Sequence, residues 1–147
     1  MQRLFKQTFL LSTTAAMALL FAGCGETKVA QCNKLIKVAN EAVTSQQFSK
    51  NTQPQKGSKA LTEAAVKVDN IAKQLQALEI KDEKLQGFKG RFLKLYQDTS
   101  TGLKNTAKAV DKKDISSANR FLASLKNIAS DESKLVKEIN SYCIDSR

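Results

Sequence analysis

Residues 85–110, LQGFKGRFLKLYQDTSTGLKNTAKAV, decide the fold predicted for this chain. Apolar side chains and two threonines recur along them at three- and four-residue intervals, which is the spacing of one helix face. These positions are Leu85, Phe88, Phe92, Leu95, Tyr96, Thr99, Leu103, Thr106, Ala107 and Val110. Gly87, Gly90 and Gly102 interrupt the segment, and each costs about 1 kcal/mol of helix propensity relative to alanine. A helix that is apolar along one face must pack that face against other elements.

Three further segments have the same periodicity and extend the prediction to four helices. They cover residues 29–48, 61–78 and 115–142. Short links, at 79–81 and 111–114, separate the third helix in the chain from its neighbour on each side. Because short links place consecutive helices side by side in opposite directions, the sequence predicts an all-α, antiparallel up-down four-helix bundle.

Polar residues mark where these helices are expected to begin and end. Ser58, Asp82 and Asp114 each precede an apolar segment and belong to the residue types that cap helix N-termini. The stretch 45–57 is rich in Gln, Asn, Ser and Lys and holds the only proline of the chain, so it is predicted to be a loop. The polar run 130–133 interrupts the last apolar segment, where we expect a kink or a restart of the helix.

The N-terminal residues have the pattern of an export signal. Arg3 and Lys6 precede an apolar run that ends in Leu19-Leu20-Phe21-Ala22-Gly23-Cys24. This run resembles the lipobox of bacterial lipoproteins, and the resemblance implies cleavage before Cys24 and a lipid on its thiol, with palmitate among the acyl chains. A transmembrane helix is disfavoured, because residues 8–23 are too few and too polar to span a bilayer. A plain secretory signal with a chance cysteine is the remaining alternative.

This interpretation divides the chain into three parts. Residues 1–23 are a signal peptide that is removed, residues 24–30 are a lipid-anchored leader, and residues 31–147 are the bundle domain. The membrane lipid is therefore the first expected partner, through the acyl anchor. We expect the protein in the cell envelope, on the periplasmic or outer face of a membrane.

Export also bears on the two remaining cysteines. Cys32 lies near the start of the domain and Cys143 near its end, and an up-down bundle brings these two places to the same end. An oxidising compartment permits a disulfide, so we predict a Cys32–Cys143 bridge. The alternative is two buried thiols that behave as small apolar side chains.

The residue types present argue against catalysis. The chain contains no histidine, and removal of residues 1–23 removes both methionines, Met1 and Met17. The carboxylates are scattered along the sequence, without the Glu-x-x-His pairs of di-iron bundles. We therefore expect no catalytic residue, no metal and no cofactor, and interpret the protein as a non-enzymatic one.

The basic residues carry the main functional signal. Loss of Arg3 and Lys6 lowers the formal net charge from +10 to +8, because no Asp or Glu lies before residue 24. Such an excess attracts anionic surfaces. An exported protein is not expected to meet nucleic acid, so the expected partner is an acidic protein or anionic lipid head groups. The residues predicted to bind it are Lys84, Arg91, Lys94, Lys104 and Lys108.

A second hypothesis concerns the aromatic side chains. Phe88, Phe92 and Phe121 could line an internal pocket, which would make the protein a carrier of a small apolar ligand. The simpler interpretation is that these rings fill the core, because they fall at helical spacing.

Overall fold

Four helices and no strand make up the part of the chain that the structure describes. The computed structural model describes residues 26–50 and 57–144, without the side chains of 42–50. The helices are α1 (Lys28–Lys50), α2 (Gly57–Ala77), α3 (Glu83–Asp111) and α4 (Ile115–Ile144). The all-α four-helix prediction is confirmed. The predicted signal peptide, Cys24 and Gly25 lie outside the described residues.

The first helix is longer than the sequence suggested. It begins at Lys28, inside the predicted leader, where the Thr27 hydroxyl oxygen accepts a hydrogen bond from the Ala30 N–H. It continues to Lys50, so the predicted loop is wrong for residues 45–50. Gln, Ser and Lys tolerate a helix interior at small cost, and the proline that would end the helix comes later.

The beginnings of the other helices test the predicted caps. The carboxylate of Asp82 accepts from the Leu85 N–H at 2.9 Å, and that of Asp114 from the Ser117 N–H at 2.9 Å. Both predictions are confirmed. Ser58 lies inside α2, which begins one residue earlier at Gly57, so the prediction of a Ser58 cap is wrong.

The last helix passes through the polar run 130–133 without a break. The hydroxyl of Ser133 donates to the carbonyl of Ala129, which keeps the serine compatible with a helical backbone. Asp131 pairs with Lys134 on the outside. The predicted restart is wrong, because the helix continues through these residues with Glu132 buried and Asp131 and Ser133 exposed, whereas the predicted kink stays a prediction.

The α3–α4 turn consists of Lys112, Lys113 and Asp114. The Asp114 N–H donates to the Ala109 carbonyl and the Lys113 N–H to the Val110 carbonyl. This is the Schellman arrangement that closes many helix C-termini, and it needs a left-handed residue. Lys113 takes that conformation, with φ at 57°.

Helix α3 lies at the centre of the bundle. It packs along α2 on one side and α4 on the other, and α1 contacts all three other helices. The side chains that are almost fully buried between them are mainly apolar, and each contributes about 1.5–3 kcal/mol of burial free energy. They include Leu35, Leu75, Leu85, Phe92, Tyr96, Leu135 and Ile139.

One polar pair lies within this core. Tyr96 is 1% exposed and Glu132 is 6% exposed. The Tyr96 hydroxyl donates to the Ala39 carbonyl at 3.3 Å. Its pKa is raised above the ordinary value by burial first, then by the charge of Glu132 and a hydrogen bond with that carboxylate. The tyrosine therefore joins α1, α3 and α4 at one point.

The three glycines of α3 have different surroundings. A Cβ atom added to Gly87 or Gly90 would meet nothing within 4 Å, whereas one added to Gly102 would lie 2.7 Å from Leu125 Cδ2. Of the three, only Gly102 lies so close to α4 that an added Cβ would force a neighbouring side chain, that of Leu125, to shift.

Alanine substitutions should separate these glycines. We expect Gly87→Ala and Gly90→Ala each to raise the free energy of unfolding by about 1 kcal/mol through helix propensity. Gly102→Ala should be less stable than either, because Leu125 must move. Chemical denaturation of the three variants measures the difference, and a Gly102→Ala variant as stable as the others would contradict the packing described.

Candidate functional site

The termini of the described chain and the α2–α3 link meet at one end of the bundle. We call this end, formed by residues 26–32, 78–85 and 139–144, the proximal end. The predicted disulfide lies here: Cys32 and Cys143 are bridged, with their Cα atoms 6.0 Å apart. The bridge joins the beginning of α1 to the end of α4.

A buried glutamine fastens α1 to the α2–α3 link. The Gln31 side-chain oxygen accepts from the backbone N–H groups of Lys81 and Asp82, at 2.6 and 2.9 Å. Its amide nitrogen donates to the Glu26 carbonyl at 3.0 Å. The link has backbone groups that no helix satisfies, so this side chain replaces water there. Gln31 has a structural role that helical periodicity gave no reason to expect.

Asp82 connects α3 to α4 at the same end. The Tyr142 hydroxyl donates to its two carboxylate oxygens at 3.1 and 3.0 Å. The pKa of Asp82 is lowered, mainly by the hydrogen bond from the Leu85 N–H and further by the Tyr142 hydroxyl and the charge of Lys28. These donors favour the charged carboxylate in the folded state.

Acid should therefore weaken this end of the bundle. Because the pKa of Asp82 is lower in the folded than in the unfolded state, its contribution is present above the unfolded pKa of about 4 and is lost as pH falls through the folded pKa. Asp82→Asn keeps a capping oxygen but does not titrate. Chemical denaturation between pH 7 and pH 2 measures the free energy of unfolding of this variant and of the unchanged protein. We expect the variant to be less stable at pH 7 and the difference between the two proteins to shrink as the pH falls. A constant difference would contradict the role given to the charge.

Two lysines converge on the same tyrosine. Lys28 Nζ lies 3.5 Å and Lys84 Nζ 4.7 Å from the centroid of the Tyr142 ring. Ammonium groups over an aromatic ring are attracted by its electron-rich face. Lys84, one of the five predicted binding residues, thus contributes to holding α3 against α4.

The other predicted basic residues are not gathered on one face. Arg91 makes a bidentate pair with Glu138 on α4, whereas Lys104 reaches Asp69 on α2 at 2.7 Å. These partners lie on opposite sides of α3. Arg91 holds the pKa of Glu138 below its ordinary value by hydrogen bonding and charge.

Lys94 and Lys108 lie on the outside of α3. Lys94 pairs with Asp98 one turn along, with its side chain 76% exposed. Lys108 lies in the last turn of α3, is exposed, and belongs to no ion pair among the described residues. Of the five predicted residues, Lys84, Arg91 and Lys104 therefore contact a neighbouring helix, whereas Lys94 and Lys108 face the solvent.

Two of the three aromatic side chains of the carrier hypothesis lie in the core, whereas Phe121 is half-buried on α4. Phe88 and Phe92 are buried, and the Phe88 ring lies 5.9 Å from that of Tyr142. Two open surface depressions occur, one beside the α2–α3 link near Leu78 and Leu93, the other on α1. Neither is lined by Phe88, Phe92 or Phe121, so no observation favours the carrier hypothesis.

Neither a metal-binding cluster nor a membrane span is found among the described residues. Residues 26–50 and 57–144 contain no group of three or more His, Cys, Asp or Glu that could hold a metal ion. None of the helices described is long and apolar enough to cross a membrane. No protein-family model, curated protein or solved structure matches the chain.

Proposed function

We propose that this protein is a bacterial lipoprotein whose helical bundle, tethered to a membrane by Cys24, binds an acidic protein partner and catalyses no reaction. The lipobox-like residues before Cys24 support the tether. The exposed position of Lys94 and Lys108 on α3, in a mature chain of net charge +8, is the observation that carries partner binding.

The position of the first helix supports a short tether. Because α1 begins at Lys28, only three residues lie between Cys24 and the first helix, and the four residue steps from Cys24 to Lys28 span at most about 14 Å. A lipid on Cys24 would hold the proximal end at the level of the lipid head groups.

The charges at that end favour a protein partner over the bilayer. Lys28, Lys81 and Lys84 are accompanied there by Glu79, Asp82 and Glu83. Basic segments attract anionic lipids by about 1 kcal/mol per Lys or Arg, and nearby carboxylates offset that attraction. The excess positive charge is available further from the membrane, where a second protein would meet it.

Carbodiimide cross-linking tests this proposal, because it joins a lysine to a carboxylate only when the two groups touch. Native membranes carrying the full-length protein would be treated at low and at high salt. We expect a protein adduct at low salt whose yield falls as salt screens the charges. A Cys24→Ser variant should be absent from the membrane fraction but should still form the salt-sensitive adduct. The absence of an adduct, or one indifferent to salt, would refute binding through the basic surface.

A further inference from the structure

The end of the bundle opposite the proximal end exposes apolar side chains. Val110 is 37% exposed, Ile115 66% and Leu122 48%. Three of the five large apolar residues exposed in the described chain thus fall within residues 110–122. Ile115 and Leu122 are seven residues apart on α4, so they share one helix face.

Cations surround these apolar residues. Residues 104–130 contain six Lys or Arg and two Asp, and residues 115–130 contain no acidic residue. No ion pair in the described chain involves Lys108, Lys112 or Lys113. Asp114 is committed to the α4 cap, where hydrogen bonds from Ser117 lower its pKa, with smaller effects of Arg120 and Lys112. The turn therefore presents positive charge beside an apolar surface.

The backbone of the turn supports a role for its lysines. Glycine is the usual residue at the left-handed position of a Schellman turn, because a side chain there is strained. This chain has Lys113 at that position, with φ at 57°. Residues held in sparsely populated backbone conformations cluster at functional sites, so the conformation of Lys113 supports a role for this turn beyond the fold.

We propose that this α3–α4 tip, formed by Lys108, Val110, Lys112, Lys113, Ile115 and Leu122, docks an acidic, amphipathic segment of a partner protein. Carboxylates of the segment would pair with the lysines while its apolar residues cover Ile115 and Leu122. Helix α3 has 29 residues, which places the tip about 43 Å from the proximal end. The inference rests on the proposed function, since the tether at the opposite end leaves the tip facing away from the membrane.

Photo-cross-linking in living cells tests the tip directly. A photoreactive amino acid would replace Ile115 in the full-length protein, and Val66, an exposed apolar residue of α2, in the control. We expect a protein adduct at residue 115 whose cross-linked peptide is rich in Asp and Glu, with at least fivefold less adduct at residue 66. An adduct with phospholipid at residue 115, or equal yields at both positions, would overturn the proposal.

Charge variants show whether the tip lysines matter. Lys112→Glu with Lys113→Glu should lower the adduct at residue 115 at least fivefold. Lys81→Glu with Lys137→Glu, which changes the net charge equally elsewhere, should leave it within twofold. If only the second pair abolishes the adduct, the partner binds another surface: the proposed function stands and the tip is wrong. If neither pair of substitutions nor salt changes the adduct yield at residue 115, the tip proposal and the proposed function are both wrong.

A third variant separates binding from folding. Lys112→Gln with Lys113→Gly removes both charges and relieves the left-handed side chain. We expect a higher midpoint of thermal unfolding together with at least fivefold less adduct. A stabilised protein with undiminished adduct would overturn the role of the lysines.

Discussion

Loss of the Cys32–Cys143 disulfide is expected to lower the free energy of unfolding by about 4–5 kcal/mol. The bridge spans 111 residues, almost the whole domain, and therefore restricts the unfolded chain strongly in the chain-entropy model. Small domains have a total stability of about 5–15 kcal/mol, so the loss is a large part of the whole.

Thermal and chemical unfolding of Cys32→Ser/Cys143→Ser against the oxidised protein measures this effect. Cys24→Ser is the matched control, because it replaces a cysteine that belongs to no predicted bridge. A double variant as stable as the oxidised protein would show that the unfolded chain is already compact or that the native bridge is strained.

The second large effect is expected at the buried pair of Tyr96 and Glu132. Tyr96→Phe removes the single hydroxyl proton, which either the Ala39 carbonyl or the Glu132 carboxylate accepts, while leaving the ring in place. Leaving a buried acceptor unsatisfied costs about 1–3 kcal/mol, and more when the acceptor is charged. We expect a destabilisation in the upper part of that range, measured by urea denaturation at pH 7.

A double-mutant cycle isolates the cause. Glu132→Leu removes the buried carboxylate, and an apolar side chain of similar size in a core is often neutral or stabilising. Tyr96→Phe/Glu132→Leu should therefore be more stable than Tyr96→Phe alone. If the second substitution adds its own penalty instead, the carboxylate stabilises the core by itself, contrary to our interpretation.

The elements predicted well from the sequence depend on local rules. Periodicity located four helices, because the apolar face of each is buried against a neighbour. Asp82 and Asp114 were identified as caps, because their side chains act on backbone groups two or three residues away. The Cys32–Cys143 disulfide was predicted from export and the even cysteine count, and the up-down topology supported it by placing both residues at the same end of the bundle.

The features that the sequence did not reveal are contacts between helices, and the partner-binding role of the basic residues stays a prediction. Arg91 and Lys104 were predicted to bind a partner because they are basic, but spacing along one helix does not reveal Glu138 and Asp69 on its neighbours. Glu132 was assigned to an interruption of α4, although it lies in the core beside Tyr96. The same limitation hid Gln31, whose partners are about fifty residues away.

The tip was also incompletely predicted. Lys108 was identified from its charge, but the exposure of Ile115 and the left-handed backbone of Lys113 are visible only in the folded chain. In the sequence, the pair Lys112 and Lys113 between two helices is typical of an ordinary polar turn. The left-handed conformation of Lys113, which only the structure shows, is what supports a binding role for this pair.

We propose that a lipid on Cys24 tethers the bundle, and the mass of the mature N-terminal peptide is the decisive measurement for this tether. Protein purified from bacterial membranes would be digested and its N-terminal peptide analysed by mass spectrometry. We expect a peptide that begins at Cys24 and carries a diacylglyceryl group, with the protein in the membrane fraction. A mature chain that begins elsewhere, or an unmodified Cys24 in a protein released from the membrane, would contradict it.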